Sequence, residues 1–291
     1  MNREEIIAKV KNITGINVPE VEEICHDWID WVQEDICRRY DYSFLKGYKE
    51  FNTIAPYSNG TITISNGSED VVGDSTLWTP QMQGRFLKIG NDLYRIAEII
   101  DNENLKLEMP YDGDGDTDIE YGIYKIFYEL ADDFKKMIWL KQVVTPVRLI
   151  SLNEIDAADY LPNEFTSAGI AKGYIFSGVE NNKTIIRLIP IQLSSIKIYY
   201  CYKKILPSVN STGAISLIPA DWHMLFVYKL SQFIYHRNDN MGQKEQQMYA
   251  MYEEDIRKLI AEDMTKSKDK RTQMQDEIIE KTIPLARLPY S

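Results

Sequence analysis

The sequence predicts an α+β fold: a helical bundle built from the N- and C-terminal helices, an inserted small antiparallel β-barrel or sandwich, and further mixed β-strands. Three observations predict it. Apolar residues recur at three- and four-residue steps near both chain ends. From about residue 55, short alternating runs are separated by Asn-Gly and Gly-Asn turns. With 44% hydrophobic residues over 291 positions, the chain can bury a sizeable core.

Residues 1–54 are expected to supply the N-terminal helices of the bundle. The first covers about 3–12 and is closed by Gly15. The second has Pro19 in its first turn and Asn17 as a possible cap. Its apolar stripe is Val21, Ile24, Trp28, Val32 and Ile36, with Cys25, Trp31 and Tyr40 beside it. Glu20, Glu22 and Glu23 near its start and Arg38 and Arg39 near its end suit the helix dipole.

The inserted β-domain is expected over 55–111. Its strands are Thr61-Ile62-Thr63-Ile64, Val71-Val72, Arg85 to Ile89, Leu93 to Ile96 and Leu105 to Glu108. Residues 112–218 read as a mixed, mainly β region with strands at Tyr121–Tyr128, Val147–Ser151, Tyr174–Ser177, Thr184–Ile189 and Ser195–Tyr202. A short helix is expected within 152–161.

Residues 219–271 should hold the C-terminal helices of the bundle. One opens at Ala220-Asp221 and runs to about Arg237, with Phe226, Val227, Leu230, Phe233 and Ile234 on one face. Another covers about 242–264, with Met248, Met251, Tyr252, Ile256, Leu259 and Ile260 as its stripe. Lys266-Ser267-Lys268-Asp269-Lys270-Arg271 reads as a charged break, and a brief helix is expected after it.

Residues 272–291 are expected to form an extended C-terminal arm. Pro284 and Pro289 forbid a regular helix, while Ile283, Leu285, Leu288 and Tyr290, with Ala286 between them, are costly to leave in water. Such an arm either straps its own domain or docks on a neighbouring subunit or partner.

The 33 basic and 44 acidic residues give a formal charge of −11, which excludes gripping duplex DNA through neutralised phosphates. An acidic surface serves solubility, or lines a passage that DNA traverses without sticking. The 19 tyrosines lean toward half-buried surfaces and interfaces. Cys25, Cys37 and Cys201 are too few and scattered for a disulfide framework and read as reduced, buried thiols. No apolar stretch suits a secretory signal or a membrane span of roughly 20 residues, so a soluble protein made in the cytosol is expected.

Catalytic signatures are missing. There is no phosphate-binding loop, dinucleotide fingerprint, nucleophile elbow or paired-histidine metal helix. Cys25 and His26 point about 100° apart on one helix, and His223 and His236 are too far apart to share a metal. All three histidines read as core or surface residues. Asp112-Gly113-Asp114-Gly115-Asp116-Thr117-Asp118 starts like a calcium loop, but Thr117 stands where Gly is needed and Ile123 where the bidentate Glu belongs. A solvated loop is the simpler reading. No catalytic residue, metal or cofactor is expected.

Arg38-Arg39-Tyr40-Asp41-Tyr42-Ser43-Phe44-Leu45 follows the second helix. Beyond it come Gly60-Thr61-Ile62-Thr63-Ile64-Ser65-Asn66-Gly67-Ser68, Gly73, Thr76-Leu77-Trp78-Thr79, Met82 to Gly90 and Leu105 to Tyr111. The order resembles the β-module of bacteriophage head-to-tail adaptors, the neck or connector proteins like tail tubular protein A. Leu217 to His223 is similar to the segment that leads into their C-terminal helices. Asp74-Ser75 departs from the small Gly-rich turn usual there, and the C-terminal arm matches nothing in that pattern.

The resemblance implies a non-enzymatic virion protein at the head–tail junction, assembled in the host bacterial cytoplasm. It implies a homo-oligomeric ring of twelve copies, bound to the portal protein and to a tail or nozzle protein of a short-tailed phage. DNA is retained and then passes through the lumen without sequence-specific binding. On that reading Ile283, Pro284, Leu285, Ala286, Leu288, Pro289 and Tyr290 dock on the portal or a neighbouring subunit. The alternatives are a tail or baseplate component binding host surfaces and a virion-associated peptidoglycan-degrading enzyme.

Overall fold

Helix α1 (Arg3–Thr14) begins where Asn2 accepts a bond from the Glu5 N–H while the Glu5 carboxylate accepts one from the Asn2 N–H, satisfying two of the helix's free donors. It ends at Gly15, whose φ of 71° suits a residue without Cβ. Helix α2 (Pro19–Arg38) follows. From the other end of the chain come α3 (Met224–His236), preceded by a 3-10 turn at Ala220–Trp222, and α4 (Gly242–Thr282). These four helices share one apolar core that includes Ile6, Val10, Ile29, Phe226, Leu230 and Tyr252. Each fully buried aliphatic side chain contributes roughly 2 kcal/mol of transfer free energy.

This computed structural model describes residues 1–17, 19–142, 148–153, 168–210, 214–237 and 242–282. The chain divides into two compact units, Met1–Gly47 with Lys204–Ser291, and Tyr48–Lys203. The architecture is mixed α+β, with strands predominating in the second unit.

Within that unit, seven antiparallel strands form one sheet: β2 (Thr61–Ile64), β3 (Asp70–Asp74), β4 (Phe86–Ile89), β5 (Asp92–Ile99), β6 (Asn104–Leu107), β7 (Asp116–Ile119) and β8 (Tyr121–Tyr124). Their order is β7-β2-β3-β6-β5-β4-β8, and Tyr57, just ahead of β2, bridges Ile123 of β8, so the sheet nearly closes on itself. Ile62, Ile64, Leu87, Ile96, Leu105 and Ile123 fill the interior around Trp78. The alternation of strands such as β3 sends every second residue inward.

A second sheet takes β11 (Ile150–Ser151), β13 (Gly173–Glu180), β14 (Lys183–Ile189) and β9 (Phe127–Glu129), in that order. Strands β1 (Lys46–Asn52), β16 (Lys197–Lys204) and β10 (Phe134–Gln142) form a third in the order β1-β16-β10. Short β12 (Ala168–Gly169) and β15 (Ile191–Gln192) pair in parallel. The core beside these strands is rich in tyrosine, including Tyr128, Tyr174, Tyr200 and Tyr202. Their hydroxyls find partners: Tyr202 donates to the Asp133 carboxylate at 2.6 Å and Tyr128 to the Lys125 carbonyl at 3.0 Å. Among the described residues ten tyrosines are buried, so tyrosine here builds core more than it marks interfaces.

Several expectations need correction. Trp28, placed on the buried stripe of α2, is 42% exposed, and the face turned inward carries Cys25, Ile29, Val32 and Ile36. Both Trp28 and Ile29 satisfy helical spacing, and the smaller branched side chain occupies the core. The segment 46–52, assigned to helices, is strand β1. Tyr121–Tyr128 is two strands in different sheets rather than one. The supposed aspartate loop yields β7 from Asp116 onward. The charged break at 266–271 does not exist: α4 runs 41 residues without interruption, because Lys, Arg and Asp without Gly or Pro do not stop a helix. The helix expected within 152–161 falls almost wholly outside the described residues.

Candidate assembly surface

The seven C-terminal arm residues singled out from sequence, Ile283, Pro284, Leu285, Ala286, Leu288, Pro289 and Tyr290, lie outside the described residues. In the helical unit, the side chains that crowd the surface are aromatic. Trp28 and Trp31, three positions apart on α2, meet edge to face with centroids 5.7 Å apart. Phe233 of α3 lies 5.2 Å from the first ring and 5.5 Å from the second. Trp31 is 41% exposed and Tyr249 of α4, nearby, is 47% exposed. Indole rings offer large, stiff contact area at low conformational cost, the chemistry of a binding anchor.

Lys229, one turn before Phe233 on α3, is buried beneath these rings. Its ammonium stands 5.9 Å from the Trp31 ring, 5.3 Å from Phe233, 5.7 Å from Tyr249 and 5.0 Å from Tyr252. It donates to the Gln232 side-chain oxygen at 3.1 Å. Burial pulls its pKa below the ordinary lysine range, and Asp35 opposes that pull. The ring faces thus replace part of the water the cation has lost.

A polar chain holds the aromatic face in register. Tyr252 donates to Asp35 at 2.7 Å, and Arg39 joins Asp35 to Glu253 while lying over the Tyr252 ring. Burial, and then the hydrogen bond to Asp35, hold the Tyr252 hydroxyl well above its ordinary pKa, so it acts as a donor only. Further along, the buried Asp263 carboxylate of α4 accepts the Ser43 N–H with both oxygens at 3.0 Å, and the Ser43 hydroxyl at 2.5 Å. The Arg38–Leu45 motif is therefore the segment that clamps the end of α2 to α4.

The histidines have structural surroundings. His223 is buried, with the Met1 nitrogen 2.5 Å from Nδ1 and the Ile218 carbonyl 2.8 Å from Nε2, and burial lowers its pKa. His26 meets Asn210, and His236 meets Glu245. Cys25, Cys37 and Cys201 are free and buried, and burial pushes the Cys25 thiol up to about 12. Among the described residues no group of three or more His, Cys, Asp or Glu converges as a metal site requires. The aspartates of 112–118 are separated: Asp112 accepts from Tyr94 at 2.5 Å, while Asp118 faces Thr61. No helix among the described residues is long and apolar enough to cross a membrane.

In the β unit, Tyr48, Trp139 and Tyr199 line an open groove of about 360 Å³ on the three-stranded sheet. Sequence reasoning missed both aromatic surfaces. Helical spacing puts Trp28 on the apolar stripe and Trp31 beside it, and neither is marked by spacing as a surface anchor. Neighbouring aromatics beside a stripe already complete with Cys25, Ile29, Val32 and Ile36 were the signal that could have separated them.

No curated protein matches the chain. A family model described as SU10 adaptor protein matches residues 1–275, which takes in both compact units and the clamp between Ser43 and Asp263. A match of that extent places the chain in the SU10 adaptor protein family, a family of phage head-to-tail adaptors.

Proposed function

We propose that copies of this chain assemble as a ring, of about twelve, beneath the portal of a short-tailed phage, joining head to tail and holding the packaged DNA until ejection. The observation that carries this reading is the adaptor-family match across residues 1–275. The aromatic surface of Trp28, Trp31, Phe233 and Tyr249 supports it, since exposed anchors of this size serve protein contacts. The net charge of −11 supports a lumen that repels phosphate and lets DNA slide. Residues 283–291 serve as a docking arm, and the β unit meets a tail or nozzle protein.

Electron microscopy of the purified chain mixed with portal rings tests the proposal. A stoichiometric ring on one face of the portal is the expected image. Portal particles without added density at saturating chain would overturn it. Because the portal contact relies on apolar burial, raising salt from 0.1 to 0.5 M weakens capture only modestly.

A further inference from the structure

We infer that the C-terminal segment Ile283–Ser291 docks in trans, on the Trp28–Trp31–Phe233 face of a second copy of this chain. The inference deepens the ring reading above, on which it rests, by naming the contact between adjacent copies.

The first argument is reach. The chain from Asp35 to Ser43 runs alongside α4 from Tyr252 to Asp263 in the same direction. Trp28 and Trp31 therefore lie toward the N-terminal end of α4, level with Tyr249 or beyond it, and Trp31 and Tyr249 both flank the Lys229 ammonium. From Tyr249 to Thr282 the helix rises about 50 Å at ~1.5 Å per residue. Fully extended, the nine residues after Thr282 span at most ~32 Å. They cannot fold back onto the aromatic face of their own copy, whatever conformation they adopt.

The second argument is chemistry. Ile283-Pro284-Leu285-Ala286-Arg287-Leu288-Pro289-Tyr290 is an apolar, proline-punctuated segment that cannot form a regular helix. Segments of that kind dock in aromatic-lined grooves, where the prolines lower the ordering cost. Its one charge is Arg287. The aromatic face is flanked by Asp27, exposed next to Trp28 and without an ion pair among the described residues. A guanidinium beside that carboxylate fixes the register of the arm.

Sedimentation of the full-length chain, with no portal present, tests the inference. The parent chain should associate in a concentration-dependent way with a dissociation constant below about 100 µM. Trp28→Ala/Trp31→Ala and Leu285→Asp/Leu288→Asp, made separately in the full chain, should each weaken association at least tenfold. Both tryptophans are more than two-fifths exposed, and an unchanged melting temperature verifies that each variant folds. An equimolar mixture of the two variants should recover dimers and nothing larger, since one supplies only an arm and the other only a face. A parent chain monomeric throughout that range, either variant associating like the parent, or a mixture that stays monomeric would each overturn the inference. Portal capture reads the ring proposal separately: a chain that decorates portals but fails these mixtures keeps its adaptor role and loses this contact.

Discussion

Trp78 sits at the centre of the β-module with 1% of its surface exposed, and its indole N–H donates to the Tyr121 hydroxyl at 2.9 Å. That hydroxyl donates in turn to the Asn59 carbonyl at 2.6 Å, and the two rings meet edge to face at 6.0 Å. Tyr121→Phe keeps the ring and removes only the oxygen. A buried indole N–H is then left without a partner at about 2 kcal/mol, and the Asn59 carbonyl loses its donor at about 1 kcal/mol, so the variant should lose roughly 3 kcal/mol. Trp78→Phe leaves a partly filled cavity and costs roughly 2–3 kcal/mol. In the double variant no indole N–H remains to be orphaned, so Tyr121→Phe costs only about 1 kcal/mol there. The cycle should therefore show a coupling of about 2 kcal/mol, read from urea unfolding of the four proteins followed by near-ultraviolet circular dichroism. Additivity within about 0.5 kcal/mol would refute the hydrogen-bond chain as the reason Trp78 occupies this position.

Three further outcomes follow from named contacts. Ser75 holds φ at 55°, a left-handed conformation costing an L residue about 1–2 kcal/mol, so Ser75→Gly should raise stability by about 0.5 kcal/mol after the added chain entropy of glycine; a drop in thermal midpoint would contradict this. Asp263→Ala removes the acceptor of the Ser43 N–H and hydroxyl and should cost about 2–3 kcal/mol in chemical denaturation, a loss under 0.5 kcal/mol showing that the clamp is not structural. Burial lowers the pKa of His223 below 6.5, so its stabilising contribution is full above that pH and falls as the unfolded chain takes up the proton below it. His223→Gln should flatten the decline of unfolding free energy as pH falls below 6.5, and an unchanged slope would assign the decline to other groups.

Much of the fold was legible in the sequence because its signals are local. Gly15 marks the end of α1, and Asn-Gly turns bound strands that alternate cleanly, as in β2 and β3. What escaped reading depends on distant partners. Strand β1 offers only Tyr48 and Phe51 among polar residues and is defined by pairing with β16, which lies about 150 residues later in the chain. Strand β10 carries three lysines and is likewise fixed by its place beside β16. The same limit applies to the assembly surface. Helical spacing admits both Trp28 and Ile29 to the core, and only the packing of α3 and α4 decides which one turns inward. Asp263 carries no local signal in the sequence, and its role appears only where the chain brings Ser43 against it.

The discontinuity of the helical unit has a consequence for biosynthesis. Helices α1 and α2 leave the ribosome early, yet the residues that cover their apolar stripe, from Leu225 to Leu259, are made only after the whole of Tyr48–Lys203. At about 5–20 residues per second, the nascent stripe waits on the order of 10–40 seconds for its cover. During that interval the β unit, contiguous in sequence, is free to fold, while Ile29, Val32 and Ile36 remain unsheltered. Chaperone demand and aggregation during expression should therefore track the length of the intervening β segment, and starting translation with the C-terminal helices would relieve both.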